Sequence, residues 1–270
     1  MKHWTIKLTA VTVIGFLALT FSSINLWAAE EAKPSASADV GVFSQYIWRG
    51  YEFSKDSVVI QPSITVGYKD VSLNLWGNLD TDVYTDPDGQ SQFNETDMTL
   101  SYGKTFGMVN AGVGYIYYGL DGITDSQEVY LSLGLDTLLS PTLTVYREIA
   151  HLPSWYISLG ISHSIELGKK ITLDLSGSAG YYYSDSDDDL VEFDDNLNPT
   201  TKKYQSFHNG LVSVGLTIPV ATYFTIKPMI AYSFPLSNEA ENQIKGTNKV
   251  NGFSEDSDFI YGGVTASLSF

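Results

Sequence analysis

The sequence of 270 residues contains no cysteine, few basic residues and few charged residues of any kind. The absence of cysteine excludes disulfide scaffolds, c-type haem attachment, cysteine-ligated zinc and thiol catalysis. Only 15 basic residues stand against 31 acidic ones, which argues against nucleic acid as a partner because phosphate neutralisation needs Lys and Arg in quantity. Charged residues make up 17%, below the roughly 25% of a typical soluble domain. We therefore expect part of the surface to face something other than water.

Only the N-terminus carries a long apolar run. Two lysines precede fourteen mainly apolar residues at 8–21, and small residues follow at 28–29. This layout predicts a cleaved secretory signal peptide over residues 1–28. A transmembrane anchor is the weaker interpretation, because the run is shorter than the roughly 20 residues that a spanning helix needs.

The remainder of the chain alternates with a period of two. Ile60, Ile64 and Val66 share one face of such a segment, and Ser63 and Thr65 share the other. No apolar stripe of helical period is long enough to predict a helix. Counting shorter segments at 40–51 and 142–148, the alternation predicts about twelve strands, each long enough to cross a bilayer when tilted.

Connector lengths alternate as well. Short links are interleaved with long polar loops at 81–93, 184–203 and 235–256. This pattern predicts an all-β, transmembrane, antiparallel up-and-down barrel with short periplasmic turns and longer extracellular loops. A soluble β-sandwich or lipocalin-like barrel would instead turn its apolar alternate residues inward. The predicted organisation is the signal peptide, a short polar segment at 29–38, and the barrel at 39–270.

The last ten residues carry a recognisable pattern. Phe270 is terminal, and Val264, Ala266 and Leu268 occupy every second position before it. This segment is similar to the C-terminal signal of bacterial outer-membrane barrels that the barrel assembly machinery reads. With both chain ends on the periplasmic side and a sheet that must close in hydrocarbon, we expect an even number of strands.

Three motifs near the mature start resemble the TorF-type porin family of Gram-negative outer-membrane β-barrel proteins. They are SQYIWRG at 44–50, WGNLD at 76–80 and NETD at 94–97. The resemblance is clearest over 39–104 and does not extend to the acidic insert 184–203. It implies an outer-membrane porin-like channel for passive diffusion of small hydrophilic solutes. Expected partners are those solutes, outer-membrane lipid, lipopolysaccharide and the assembly machinery, with no cofactor.

Charged residues on the inward face are the candidates for pore lining and selectivity. Six carboxylates against two bases predict a lumen that prefers cations, unless the carboxylates pair with the bases or lie at a screened rim. About twelve strands also predict a narrow passage. The candidates are Arg49, Asp80, Glu95, Asp97, Glu128, Glu148, Asp174 and Lys227.

Aromatic residues form a second inward set. They either stack on solutes or, as we favour, fill space and donate hydrogen bonds to the lumen wall. The set is Trp76, Tyr130, Tyr146, Tyr156, Tyr182, Tyr223 and Tyr261.

The acidic run at 184–189 invites a calcium interpretation, since Asp185, Asp187 and Asp189 alternate. An EF-hand loop also needs Gly at its sixth position and Glu at its twelfth, where Leu190 and Asn196 stand. We therefore predict a solvated extracellular loop and no metal site.

Two other classes of function compete with a channel. A hydrolase barrel would need a nucleophile beside a base, but no serine stands two residues after His151, His163 or His208, and Gly-x-Ser-x-Gly is missing. His163 and His208 fall on the outward face, so no catalytic residue is predicted and we expect no enzyme. The other class is a non-conducting barrel that acts as a scaffold or presents adhesive loops.

Overall fold

Twelve strands form one closed antiparallel barrel in the computed structural model, which describes residues 33–83, 90–168, 170–186 and 190–270. In chain order the elements are β1 (Ser35–Phe43), β2 (Ile47–Trp48), β3 (Tyr51–Glu52), β4 (Val59–Tyr68), β5 (Val71–Asp80), β6 (Gln92–Phe106), β7 (Val109–Leu120), β8 (Ser126–Leu135), β9 (Thr142–Glu148), β10 (Ser154–Gly168), β11 (Ile171–Ser184), β12 (Val191–Phe193), β13 (Pro199–Lys203), β14 (Gln205–Ala221), β15 (Phe224–Pro235), α1 (Asn238–Val250) and β16 (Phe259–Ser269).

The barrel closes where its first and last strands pair. β1 pairs with β16 on one side and β4 on the other, and the remaining barrel strands follow chain order. The predicted up-and-down barrel of about twelve strands is confirmed. The first strand begins at Ser35, so residues 35–38 of the polar segment predicted at 29–38 are part of the barrel wall. The predicted signal peptide lies outside the described residues.

The outer surface of the barrel is apolar. On β8, Val129, Leu131 and Leu133 are exposed, whereas Tyr130 between them is buried on the lumen side. The same alternation recurs around the wall, so the exposed apolar area far exceeds that of a soluble monomer. Because closure leaves no unpaired sheet edge, this surface is suited to hydrocarbon.

The two ends of the barrel differ in connector length. Turns such as 69–70 and 107–108 are short at the end where β1 begins and Phe270 lies, and Lys69 and Gly107 adopt positive φ there (55° and 62°). Long connectors, such as 185–204 and 236–258, lie at the other end. This asymmetry assigns the short-turn end to the periplasm.

The strand predicted at 40–51 is only partly correct. After Phe43 the chain leaves the wall, and residues 44–58, here called the lumen insert, run inside the barrel as a small hairpin of β2 and β3. Arg49 and Gly50 form its turn, with φ of 50° and 88°. Two successive residues with positive φ make a tight hairpin turn, so a continuous strand cannot pass this point.

Helix α1 was not predicted at all. Ser237 caps it by accepting a hydrogen bond from the Ala240 amide (3.0 Å), and acidic residues occupy its first turn. Its buried face includes Gln243 and Asn248 beside Ala240 and Ile244, so it lacks a clear apolar stripe. Within the described part of the chain, no helix is long and apolar enough to cross a bilayer.

His208 was predicted on the outward face and lies inside the barrel instead. The register between β11 and β14 shifts at Ala179/Tyr181, where β14 carries an extra residue. This bulge exchanges the two faces of β14 at its extracellular end. Phe207 is consequently 63% exposed and His208 is fully buried.

Candidate lumen site

Four tyrosines form a continuous belt across neighbouring strands of the lumen wall. Tyr130, Tyr146, Tyr156 and Tyr182 pair in register on β8, β9, β10 and β11. Successive ring centroids lie 5.4, 6.0 and 4.9 Å apart, and all four rings are buried. This tyrosine belt packs against the lumen insert, as space-filling rings would.

Arg49 ties the lumen insert to the wall. Its Nη1 and Nη2 donate to the two carboxylate oxygens of Glu128, each at 2.7 Å, and both side chains are almost fully buried. The guanidinium also lies over the rings of Trp48, Tyr146 and Tyr156, at 4.3, 4.6 and 4.3 Å from their centroids. A bidentate, aromatic-flanked ion pair fixes both position and orientation.

Aromatic contacts of the insert extend round much of the lumen. The ring centroid of Tyr46 lies 5.7 Å from that of Trp76 on β5, and the ring centroid of Trp48 lies 6.0 Å from that of Tyr118 on β7. Tyr51 lies 5.0 Å from His208 on β14. The insert therefore reaches the wall from β5 round to β14, across the width of the barrel.

The insert and the α1 loop are joined by buried polar contacts. The Glu52 amide donates to Asn248 Oδ1 (3.0 Å). The Glu52 carboxylate accepts from the Ser254 amide and hydroxyl (2.9 and 2.6 Å) and from Gln45 Nε2 (2.7 Å). Because Glu52 and Asn248 are buried, insert and helix behave as one unit, here called the plug (44–58 and 236–258).

Asp80 and Glu148 accept hydrogen bonds from segments that connect the barrel strands. Asp80 accepts from the Ser57 hydroxyl (2.5 Å) in the insert. Glu148 accepts from the amides of Ala150, His151 and Leu152 at 3.0, 3.2 and 2.9 Å. Both carboxylates are buried, and their hydrogen bonds hold the extracellular ends of the wall.

Asp174 and Lys227 lie in the periplasmic half of the wall. Asp174 accepts from the hydroxyls of Ser164 (2.6 Å) and Thr217 (2.7 Å), and Lys227 is partly buried on the lumen face of β15. Neither is close to the plug, so the eight predicted pore-lining residues do not form one cluster.

Glu95 and Asp97 share the lumen face of β6 below the insert. Glu95 is 6% exposed and lies beside the Tyr46 hydroxyl. Burial, together with the charge of Glu95, raises the pKa of Tyr46 and keeps its hydroxyl protonated. Asp97 lies in register between Trp76 on β5 and Tyr118 on β7, and its Oδ1 is buried without a hydrogen-bond partner.

Tyr223 is not on the lumen wall, contrary to the prediction. It lies in the short turn between β14 and β15, is 59% exposed and stacks on Phe270 at 5.8 Å. The alternation that predicts an inward side chain ends where the chain reverses. Tyr261, by contrast, packs against the buried aromatic cluster.

The terminal segment forms the closing strand. Val264 and Leu268 are exposed on its outer face, and the Phe270 amide donates to the Ala36 carbonyl (2.8 Å). Recognition of Val264, Ala266, Leu268 and Phe270 by the assembly machinery stays a prediction.

Sequence reasoning missed several plug contacts. Tyr118 could have been found, because the alternation on β7 that turns Tyr117 outward turns Tyr118 inward. Glu52 and Tyr204 lie outside the barrel strands, where no period marks a residue as buried.

The periplasmic half of the lumen, here called the vestibule, has a lining of short polar side chains. Asn74 Nδ2 donates to Ser63 Oγ (2.8 Å), and the hydroxyls of Ser176 and Ser213 lie 2.7 Å apart. This part of the wall is therefore polar, and its side chains are shorter than those of the tyrosine belt.

The acidic insert folds partly into the β12–β13 hairpin. Asp194 accepts from the amides of Asn196 and Asn198, each at 2.9 Å, and these bonds lower its pKa. Asp185 pairs with Arg147, while Asp187 and Asp189 lie outside the described residues. No group of three His, Asp or Glu side chains within the described ranges could hold a metal ion.

A closed antiparallel barrel with an even strand number, an apolar outer face and short turns at one end is the architecture of an outer-membrane β-barrel protein, and this chain belongs to that class. The chain is similar to the NanC porin, with 10% identity and a TM-score of 0.49 over 87% of this chain and 98% of that one. It is also similar to the COG4313 outer membrane channel from Pseudomonas putida F1, with 7% identity and a TM-score of 0.45 over 91% and 100%.

A scan against protein-family models and a search of curated proteins found no match. With identities of 10% and 7% and TM-scores of 0.49 and 0.45, these similarities carry no conclusion about solute or mechanism.

Proposed function

We propose that this protein is an outer-membrane channel for passive diffusion of small hydrophilic solutes, narrow and cation-preferring. The observation that carries the proposal is the excess of acidic over basic side chains on the lumen wall. Arg49 neutralises Glu128, whereas Asp97 Oδ1 has no hydrogen-bond partner and Glu95 adjoins a neutral tyrosine. Acidic side chains in excess of basic ones on a polar lumen wall attract cations and repel small anions.

The position of the plug supports the proposal that the passage is narrow. The plug spans the lumen at the level of the tyrosine belt, whereas the wall of the vestibule beneath it carries short polar side chains. Solutes would therefore pass one constriction between insert and wall, and selectivity would be decided there. The proposed role involves no chemistry on the solute.

Export by the signal peptide at 1–28 and assembly through the C-terminal strand belong to the same proposal. So does membership of the TorF-type porins, which rests on the motifs at 44–50, 76–80 and 94–97. Outer-membrane lipid and lipopolysaccharide are the surroundings we propose for the apolar band.

Conductance in planar bilayers tests the proposal. We expect discrete steps and a reversal potential under a salt gradient that shows cation preference. The double variant Glu95→Gln, Asp97→Asn should lower the cation-to-anion permeability ratio. The matched control is Glu192→Gln, Asp194→Asn on the β12–β13 hairpin, which removes two carboxylates outside the lumen and should leave the ratio unchanged. An unchanged ratio in the lumen variant would contradict the proposed filter.

A non-conducting scaffold or adhesin is the second candidate, and the plug itself favours it. Insert and α1 occupy the extracellular half of the lumen, and the β12–β13 hairpin packs against α1 on that side. Silence across repeated insertions, by protein that retains its folded mobility in gels, would favour this candidate.

A further inference from the structure

One histidine is buried where the lumen insert meets the barrel wall. His208 on β14 is fully buried. The ring centroids of Tyr182 on β11 and Tyr51 in the insert lie 4.9 and 5.0 Å from that of the imidazole. The Tyr204 hydroxyl lies 2.7 Å from Nδ1 of His208. Residues of both the insert and the wall therefore exclude water from the imidazole.

These surroundings suit a neutral imidazole better than a charged one. Nε2 of His208 is buried without a hydrogen-bond partner. Arg49 of the insert is the charged residue that faces the ring, through both its backbone and its guanidinium. A protonated imidazole donates from both nitrogens. It would gain at most the Arg49 backbone as an acceptor, and it would lie beside a guanidinium of like charge without the hydration that water provides.

The other groups around the ring do not offset a positive charge. The Glu128 carboxylate is engaged with Arg49 through both oxygens at 2.7 Å, and the Glu52 carboxylate accepts from the Ser254 amide and hydroxyl. On α1 the buried residues are uncharged, and its acidic and basic side chains lie outside the buried face. The titratable groups that enclose the ring are the phenols of Tyr51, Tyr182 and Tyr204, which are neutral near pH 7.

Protonation is consequently linked to the position of the insert. The insert is here called docked while Tyr51 contacts His208, and undocked once that contact is broken. An undocked insert leaves the imidazole in water, where it takes up a proton below about pH 6.5. The state that binds the additional proton is favoured as the pH falls, by up to about tenfold per pH unit. Well above about pH 6.5 neither state binds this proton, so the docking equilibrium is independent of it.

We propose that His208 makes docking of the lumen insert sensitive to acid, so that the population of undocked insert rises as the pH falls below neutrality. The proposed channel matters here only for the consequence, which is a wider passage in acid. The contact between insert and β14 exists whether or not the barrel conducts.

Hydrogen–deuterium exchange of the detergent-solubilised protein tests the proposal. The reporters are the amides of 44–58, because a two-stranded hairpin without packing partners is at best marginally stable and exchanges. After correction for the intrinsic effect of pH, their protection should fall about twentyfold between pH 7 and pH 5. Carboxylates in water titrate near pH 4, below this window. Amides of β8 should stay protected, which would show that the wall remains folded.

Variants of His208 identify the titrating group. His208→Gln should abolish the fall in protection, and His208→Phe provides a second uncharged side chain where Gln loosens the insert at pH 7. His163→Gln is the matched control, since His163 lies outside the plug with Nδ1 2.8 Å from the Leu138 carbonyl oxygen, and it should keep the full response. Constant protection in the unmodified protein, or an undiminished fall in both His208 variants, would overturn the proposal.

Planar bilayer recordings separate this acid response from the channel itself. Protection that is lost in acid through His208, together with silent bilayers, would overturn the channel and leave the acid response. Cation-selective steps from protein whose insert stays protected at pH 5 would overturn the acid response and leave the channel. Where both proposals hold, wide openings at pH 5 should be more frequent in the unmodified protein than in His208→Gln.

Discussion

At the residue scale, the Arg49–Glu128 pair is the contact on which the plug depends most. Both partners are buried, and aromatic rings enclose the guanidinium, so neither charge can be hydrated when its partner is lost. The lumen insert has no continuous ladder with the wall. Its position therefore relies on a few strong side-chain contacts.

Replacing Glu128 by Ala should lower the free energy of unfolding by about 3 kcal/mol, because it leaves a buried guanidinium unpaired. Urea unfolding in micelles, followed by tryptophan fluorescence, measures this. Glu241→Ala at the more exposed pair with Lys245 should cost less than about 0.5 kcal/mol. The double variant Arg49→Met, Glu128→Met should be milder than Glu128→Ala, and equal losses in all three would contradict the assigned role.

Two glycines of β11 offer a sharp comparison. A Cβ on Gly180 would collide with the Tyr156 hydroxyl and lie 2.6 Å from Asn209 Oδ1, whereas a Cβ on Gly177 would meet its nearest atom at 3.6 Å. Gly180→Ala should therefore displace Tyr156 from the tyrosine belt and destabilise the protein by about 1–3 kcal/mol. Gly177→Ala should be nearly neutral in the same urea experiment. Equal stability of the two variants would show that the belt is not tightly packed.

At the scale of elements, the sequence predicts what faces lipid far better than what faces the lumen. Hydrocarbon demands an apolar residue at every second position, so strands such as β8 are evident from their alternation. Nothing imposes a period on the insert or on α1, whose buried faces mix aromatic, amide and carboxylate groups satisfied by one another. Glu52 and Asn248 are buried because each is hydrogen-bonded to the other's segment.

The same reasoning explains the partial success with site residues. Alternation places Glu95, Asp97 and four belt tyrosines on the lumen face correctly, but it cannot predict that Arg49 neutralises Glu128. It also fails where the register changes, at the β14 bulge and in the turn that holds Tyr223. Contacts between residues far apart in sequence lie beyond any local pattern.

The β14 bulge can be tested by labelling, since the chain contains no cysteine. Phe207→Cys should react readily with a membrane-soluble maleimide, whereas His208→Cys should be protected within the folded barrel. Beyond the bulge the relation of odd and even positions is reversed. Val212→Cys should therefore react from the lipid side, and Ser213→Cys should be protected. Greater labelling at position 208 than at 207 would mean that the uninterrupted alternation predicted from sequence is right.

At the scale of the whole molecule, the barrel and the plug have separate physical origins. The wall is stabilised by a closed ladder and by lipid, neither of which involves the plug. The plug is stabilised by the Arg49–Glu128 pair, the aromatic contacts with the belt and the Glu52–Asn248 hydrogen bonds. The wall should consequently fold without the insert, and the insert should determine how much of the lumen conducts.

Replacing 45–56 by a short Gly/Ser linker between β1 and β4 should therefore leave a folded barrel and raise single-channel conductance several-fold. Conductance rises with the open cross-section of the lumen, and small polar side chains leave more of that cross-section open in a twelve-strand barrel. Planar bilayer recordings and heat-modifiable gel mobility measure the two outcomes. Shortening the exposed connector 121–124 between β7 and β8 is the control, since that segment lies outside the plug and its loss should leave conductance unchanged. Equal conductance with and without the insert would mean that ions pass by a route that the insert does not touch, and the constriction would then have to be sought elsewhere along the wall.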